Sequence, residues 1–594
     1  MKLLSIQVLW QGTTKVLLRF PLQFLIAIAS TVLFWMLVGM DYQESLLKHH
    51  LTTALSICNL ALTLLLASDL FCEAHKYSVA KKWAFRVIAL SICVGLYFLL
   101  DPWAYLADTF RLVLFAFAFH LLVAFAPYIG KKEFNGFWQY NKSLFLRFLV
   151  SAFYAGVLYA GLAVALVAID GLFSVNITST YYLRLFGFVS AGFTTIFFLA
   201  GVPEDFTALA EDRSYPKGLK IFTQYVLIPL MSVYLAILLA YEVKIMISWS
   251  LPKGFVSMLV LGYAVFGILS LLLIYPIKDN DGNGWIRLFS KFFYLMMIPL
   301  VVLLLLAIGT RIGHYGITES RYILIVLALW LSAITAYFLL SKAQNIKVIP
   351  ISLCLIALLA TYGPQSAFSI SKFSQIARMK SLMETKDKKK MEERADVLRY
   401  LVDQHGLTSL QQFTKVDLSA IDKKIDQRNQ SSYYMRDHKV DTAFAILNIK
   451  DTRFGYANEY IHITSTDEKV ALIGGYDALI RVDSYNQDSI YTFDGTTVKL
   501  KSKQHTLLDV SVGDEQTRFD FRKLSQDVIK KYEAKQLKKA GYNSFYLPSA
   551  EMQFTQQLKN YTIKLIILDF NGNYDSDKKY ENFNIEGYLL LKKN

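Results

Sequence analysis

Charge is scarce in this chain. Only 18% of its 594 residues are Asp, Glu, Lys or Arg, while 54% are hydrophobic. A soluble domain carries about one quarter charged residues, so an ordinary soluble globule is excluded. Cysteine is equally sparse. The four copies, Cys58, Cys72, Cys93 and Cys354, leave the C-terminal part without any, so that part needs no disulfide framework and offers no paired-cysteine metal spacing. HExxH, Walker and GxSxG motifs are missing as well, which removes the usual signatures of zinc peptidases, P-loop NTPases and α/β hydrolases. No nucleophile–base–orienter set can be assembled, and neither a cofactor nor a metal is expected.

What the chain has instead is long apolar runs. They lie near 21–40, 51–70, 83–100, 112–129, 144–167, 182–202, 221–243, 255–275, 292–310, 322–340 and 346–361. A run of ~20 apolar residues matches the ~30 Å hydrocarbon core of a bilayer, and lipid satisfies no free backbone polar group, so each run is expected to be a helix. The expected fold is a polytopic α-helical membrane bundle of about 11 transmembrane helices followed by a soluble α+β C-terminal domain. Its parts are a multi-span domain over 1–362, a helical connector over 363–430 and an α+β domain over 431–594. The first run is too long for a signal-peptide core and is read as an uncleaved span.

The net charge of +15 is a membrane signal rather than a nucleic-acid one. Lysine and arginine concentrate in alternate segments, such as Lys76, Lys81 and Lys82, then Lys131, Lys132 and Lys142, then Lys278, Arg287 and Lys291. The intervening set holds only Lys48, Arg111, Lys244, Lys253, Arg311 and Arg321. The positive-inside rule then puts the N-terminus in the cytoplasm and, after an odd number of spans, the tail outside. The lipid bilayer is the one certain partner, and no nucleic acid is expected.

The tail changes period along its length. From Ser371 to about Asn429 the spacing is helical, and Lys386 to Arg394 is a charged run of the kind found on solvated faces. From about Thr442 alternation takes over, with Gly474–Gly475, Asp494–Gly495 and Asn571–Gly572 as turns and a helical interruption from Lys523 to Gly541.

Two polar motifs fall on the predicted outer face. The first runs from Arg311 through His314, Tyr315, Gly316, Thr318 and Glu319 to Arg321; the second runs from Gly363 to Arg378. In the second, Ser371, Ser374, Gln375 and Arg378 share one helical face at i, i+3, i+4 and i+7. Arg311, Arg321 and Arg378 would form a site for a phosphate or carboxylate, because guanidinium offers forked donors. The plainer alternative is structural: Thr318 and Glu319 start a helix and the arginines anchor the tail.

Polar groups inside spans are functional candidates by default. His120, Asp170 and Glu242 are the candidates here, with Arg147 and Arg184 near span ends and able to snorkel. A lone histidine more often makes an interhelical hydrogen bond than it relays protons. The stretches Asp279–Gly284 and Asp569–Asp575 look calcium-like, but Ser290 and Tyr574 stand where a glutamate and a glycine are needed.

At these motifs the chain resembles a family of uncharacterised bacterial inner-membrane proteins, domain of unknown function 4153. The likeness rests on Arg19-Phe20-Pro21-Leu22, on Asp170-Gly171-Leu172-Phe173, and on the two polar motifs. The tail resembles the extension of members from the Bacteroidetes. The resemblance implies an inner-membrane location and brings no activity. The expected function is a non-enzymatic envelope protein that binds an anionic lipid, a precursor or an envelope protein partner where bundle and tail meet. A secondary transporter using His120 and the span-end acids is the alternative. A glycosyltransferase using a lipid-linked donor, with Asp41 and Glu44 as its only outer-loop acids, is a distant third.

Overall fold

The computed structural model describes residues 6–40, 45–102, 105–248, 255–278, 284–341, 344–384, 388–426, 432–449, 459–465, 473–483, 488–503, 507–533, 538–541, 544–574 and 580–594. The chain divides into two compact units, Met1–Asn448 and Ile449–Asn594.

The first unit opens with α1 (Ile6–Arg19), which stops at Phe20 because Pro21 lacks an N–H and sets the start of α2 (Pro21–Val38). Then follow α3 (Ser45–Ala74), α4 (Val79–Leu99), α5 (Leu106–Phe125), α6 (Phe134–Phe173), α7 (Ser179–Ala200), α8 (Lys217–Ser248), α9 (Phe255–Ile274), α10 (Gly284–Tyr315) and α11 (Glu319–Leu340). Among the described residues, α2 to α11 are the ten helices long and apolar enough to cross a membrane. One π-helical stretch interrupts α7 at Phe188–Phe193 and another interrupts α8 at Thr223–Leu227.

The eleventh apolar run folds as α12 (Val348–Leu359). Its 12 residues give about 18 Å at 1.5 Å per residue, well short of a bilayer core. It nevertheless runs antiparallel to α5 along nearly the whole of that helix. Lys347 Nζ donates to the carbonyls of Tyr128 (3.4 Å) and Lys131, Cys354 Sγ donates to that of Ala118 (3.3 Å), and Arg111 Nε donates to that of Thr361 (3.2 Å). Cys354 and Ala357 join the core built from α1 and α3 to α7, while Ile349 joins the core built from α8 to α11.

Four helices complete the unit: α13 (Ala367–Met383), α14 (Lys388–His405), α15 (Leu418–Asp426) and α16 (Ser432–Leu447). The helical reading of the segment after Ser371 therefore holds. Alternation begins later than Thr442, because Val440, Ala443 and Phe444 are buried at i, i+3 and i+4 and keep α16 helical. Lys439 locks α16 to α15 through Asp422 (3.0 Å) and Asp426 (2.6 Å).

The second unit is α+β. One sheet has the order β2 (Ala478–Asp483), β11 (Tyr580–Lys593), β10 (Tyr561–Tyr574), β1 (Glu459–Ser465), β8 (Ser544–Leu547) and β7 (Lys538–Gly541), and β9 (Gln553–Gln557) shares an edge of β10 with β1. The other is an antiparallel meander of β3 (Asp488–Phe493), β4 (Thr496–Lys503), β5 (Leu507–Val512) and β6 (Glu515–Asp520). Alternation does the sorting: Leu508, Val510 and Val512 turn inward from β5 and meet Ile563, Leu565 and Leu589 in one core. The helix expected from Lys523 to Gly541 is α17 (Arg522–Glu533). Gly541 is not its stop, since it pairs with Ser544 in the β7–β8 hairpin.

A buried ion network fixes the first four helices. The break at Phe20 leaves the Arg19 carbonyl without a helical partner, and Arg86 NH2 donates to it (2.9 Å). Arg86 also grips both oxygens of Asp69 (2.8 and 3.1 Å), to which Gln23 adds a third bond (3.0 Å). Beside them, Arg19 and Lys82 share Glu73 (each 2.7 Å), and Arg19 donates to the carbonyls of Val202 and Pro203 (both 2.7 Å). Asp69 is 0% exposed and Arg86 4%. Removing one partner of such a pair strands a buried charge, at a cost of about 3–5 kcal/mol, whereas replacing both with apolar groups is close to neutral. Asp69→Ala should therefore lower the melting temperature of the detergent-solubilised protein, and adding Arg86→Leu should restore most of the loss. A double variant no more stable than Asp69→Ala would show that the two charges are not coupled.

Candidate functional site

Both polar motifs meet at one joint of the first unit, where α10 turns into α11 and α13 lies across the turn. Gly316 makes the turn at φ +69°, and a Cβ there would come within 2.9 Å of Gln375 Nε2 and 3.2 Å of Ser374 Oγ. The shared face of α13 then clamps the turn's backbone. Gln375 Nε2 donates to the carbonyls of Tyr315 and Ile317 (both 3.0 Å), and Ser374 Oγ accepts the Ile317 N–H (2.9 Å). Arg378 NH1 (3.1 Å) and Arg321 NH1 (3.1 Å) also donate to the Tyr315 carbonyl, and Arg321 reaches that of Gly316 (2.7 Å). Both guanidinium groups sit over the Tyr315 ring at 5.7 and 5.5 Å. The last carbonyls of a helix attract cations, so one backbone oxygen gathers three donors.

Below the turn lies Glu319, 2% exposed at the start of α11. Thr318 precedes it as N-cap without a side-chain cap bond. Ser371 Oγ donates to Glu319 Oε1 (2.6 Å), Tyr400 OH bonds Oε2, and His405 Nε2 stands 3.2 Å from Oε1. Burial, and next the neighbouring Glu319 carboxylate, push the Tyr400 phenol well above its usual range, so it remains a donor. Serine, histidine and glutamate together invite comparison with a hydrolase triad, but the geometry is different. One histidine nitrogen faces both Ser371 Oγ (3.3 Å) and the acid, and the serine donates directly to that acid. A triad needs the histidine between the two, bonded through different nitrogens. Here three groups surround a buried carboxylate and satisfy its oxygens.

Above Glu319 a cavity of about 180 Å³ opens between α11, α13 and α14, lined by Tyr315, Thr318, Arg321, Gln375, Arg378, Glu393, Asp396, Val397 and Tyr400. Arg378 NH2 is paired with Glu393 (2.7 Å). Arg321 NH1 is committed to the turn, while its Nε and NH2 have no hydrogen-bond partner among the described residues. Arg311, one turn before Tyr315, adds its charge close to Arg321 and has no hydrogen-bond or ion-pair partner among the described residues.

The first half of the second motif anchors the joint sideways. Ser366 caps α13 through the Ser369 N–H (3.2 Å), Tyr322 OH donates to the Gln365 carbonyl (2.6 Å), and Arg111, paired with Asp108, lies over the rings of Phe368 and Tyr362.

The structure thus brings Tyr315, Thr318, Glu319, Arg321, Ser371, Ser374, Gln375 and Arg378 together, with Arg311 nearby. It does not join the intramembrane candidates. His120 is exposed on α5 and bonds its own helix at Ala116 O (2.7 Å), Asp170 accepts the Ile177 N–H (2.8 Å), and no described contact links either to Glu242. Asp41, Glu44 and residues 279–283 lie outside the described residues, while Asp569 sits in β10 bonded to His462 (3.0 Å). No group of three or more metal-ligating side chains occurs among the described residues.

Sequence reasoning missed Glu393, because the run from Lys386 to Arg394 was read as a solvated face, and it missed Tyr400 and His405 beyond that run. The available signal was spacing: Glu393, Val397 and Tyr400 share a face of α14, and Ala395, Leu398, Leu401 and Val402 bury another. It also missed Asp69 and Arg86, an acid and a base each set inside an apolar run.

Comparison with known proteins matches this architecture to one family. An uncharacterised protein of Pasteurella multocida (strain Pm70) is 28% identical over 267 residues, which is 44% of this chain and 44% of that protein. No solved structure matches. The family model for a domain of unknown function (DUF4153) matches residues 24–389, from α2 through the joint. This chain belongs to that family.

Proposed function

We propose that the chain is a binding protein of the bacterial inner membrane, whose joint between bundle and helical cap takes an anionic group of an envelope lipid, a precursor or a partner protein. The observation that carries this reading is Arg321. Its NH1 is fixed on the Tyr315 and Gly316 carbonyls, its Nε and NH2 have no hydrogen-bond partner among the described residues, and its side chain lines the 180 Å³ cavity. That Nε–NH2 edge is the fork that receives a phosphate or carboxylate side-on. Because the turn already holds the guanidinium, binding would cost little side-chain ordering. Arg378 and Arg311 add positive charge beside it, set against the carboxylates of Glu393 and Asp396 in the lining and Glu319 below.

We also infer a side. The antiparallel course of α12 beside α5 supports an eleventh crossing, so the joint and the residues after it lie on the outer face and the N-terminus in the cytoplasm.

Two measurements test this. Native mass spectrometry of the detergent-purified protein should find a discrete anionic lipid or phosphorylated glycan on the wild type and at least tenfold less on Arg321→Ala. Identical spectra would overturn the site. For sidedness, Thr408 is exposed beyond α14. Thr408→Cys should react with a membrane-impermeant maleimide in intact spheroplasts; reaction only after lysis would place the joint in the cytoplasm.

A further inference from the structure

A second feature lies elsewhere in the bundle and shares no residue with the joint. A groove of about 840 Å³ runs between α2, α6 and α7, within the size range of built ligand sites. Its walls are apolar, with Ile28, Val32, Trp35, Val150 and Phe193 among them, and among the described residues one charged side chain lines it, Arg147.

Arg147 lies within a membrane-crossing helix, five residues or about 7.5 Å beyond Lys142. Lys142 finds Asp212 in the adjoining loop (3.8 Å), but no carboxylate pairs with Arg147 among the described residues. Its Nε (3.1 Å) and NH2 donate to the Phe197 carbonyl, and the guanidinium lies 4.1 Å above the Phe197 ring. That carbonyl is open because the Gly201 N–H bonds Phe198 O instead (3.0 Å). Gly201 is also required sterically, since a Cβ there would fall 1.9 Å from Arg147 Nε. The remaining NH1 has no partner among the described residues. A cation near the end of a span with no carboxylate beside it is open to the anionic group of a lipid.

The surroundings name the occupant. Ile28, Val32 and Phe188 are 46–50% exposed along the groove, so in a bilayer they meet acyl chains. The π-helical stretch at Phe188–Phe193 and the small Gly192 widen the wall of α7. Gly12 and Thr13 of α1 reach the groove at the end nearest Ala200. That helix exposes Trp10 and Leu18 (72% and 79%), as an interfacial amphipathic helix does, which puts the Arg147 end at head-group depth. Among the described residues, no acidic side chain lines the groove to receive an ammonium group.

We infer that this groove binds one anionic phospholipid, its phosphate on Arg147 and one acyl chain along the wall formed by α2 and α7.

The test uses the full chain in nanodiscs of equimolar phosphatidylglycerol and phosphatidylethanolamine, released into native mass spectrometry. Wild type should retain phosphatidylglycerol in preference to phosphatidylethanolamine. Arg147→Gln keeps an amide donor for the Phe197 carbonyl and removes the charge; it should lose that preference at least tenfold. Val150→Trp fills the groove and leaves the arginine; it should lose the bound lipid altogether. Arg481→Gln, which removes an exposed arginine of the second unit, is the control and should keep the wild-type preference. Equal retention of the two lipids by wild type, or an unchanged preference in Val150→Trp, would overturn the inference.

Discussion

A cation carried into an apolar bundle needs an acceptor, and in this chain the acceptor is repeatedly the end of a helix. Arg86 donates to the last carbonyl of α1, Lys131 to that of α3 (2.8 Å), Arg147 to a carbonyl in the last turn of α7 and Arg394 to one in the last turn of α13 (2.7 Å). Arg321 and Arg378 meet on the final carbonyl of α10. Each bond removes two liabilities together, a charge out of water and an orphan backbone oxygen. Because cation and carbonyl come from different elements, each bond also sets where one helix stops relative to another. The joint is the densest instance of this rule.

The arrangement makes Glu319 intelligible. A carboxylate at a helix N-terminus gains from the helix dipole, yet burial beneath a turn works against it. Ser371, Tyr400 and His405 come from α13 and α14, so the acid is satisfied only when the helical cap is docked. The residues that look reactive in isolation are the fasteners between cap and bundle.

Local pattern carried much of this. Ten of the spans, the shared face of α13 and the clustering of the two motifs followed from period and length, because those are properties of neighbouring residues. Pairings did not follow. Asp69 and Arg86 sit in different runs, and Tyr400 lies 81 residues from the acid it bonds, so nothing in either segment announces the other. Helix α12 is shorter than the run read at 346–361, and the ends of that run are tied to α5 and the loop after it by Arg111 on the Thr361 carbonyl and Lys347 on the Tyr128 carbonyl rather than continued as further turns. The extent of α16 was hidden for a simpler reason: its apolar residues come in a short cluster, which strand and helix patterns share.

Helix α12 has a further consequence, for the order of assembly. Cys354 and Ala357 belong to one half of the bundle and Ile349 to the other, and this helix is the last of the bundle to be synthesised. Neither half closes its core until the ribosome has passed residue 360. Until then, membrane insertion proceeds with two unfinished packing surfaces side by side in the lipid, where chaperones and quality-control proteases have their opportunity to act.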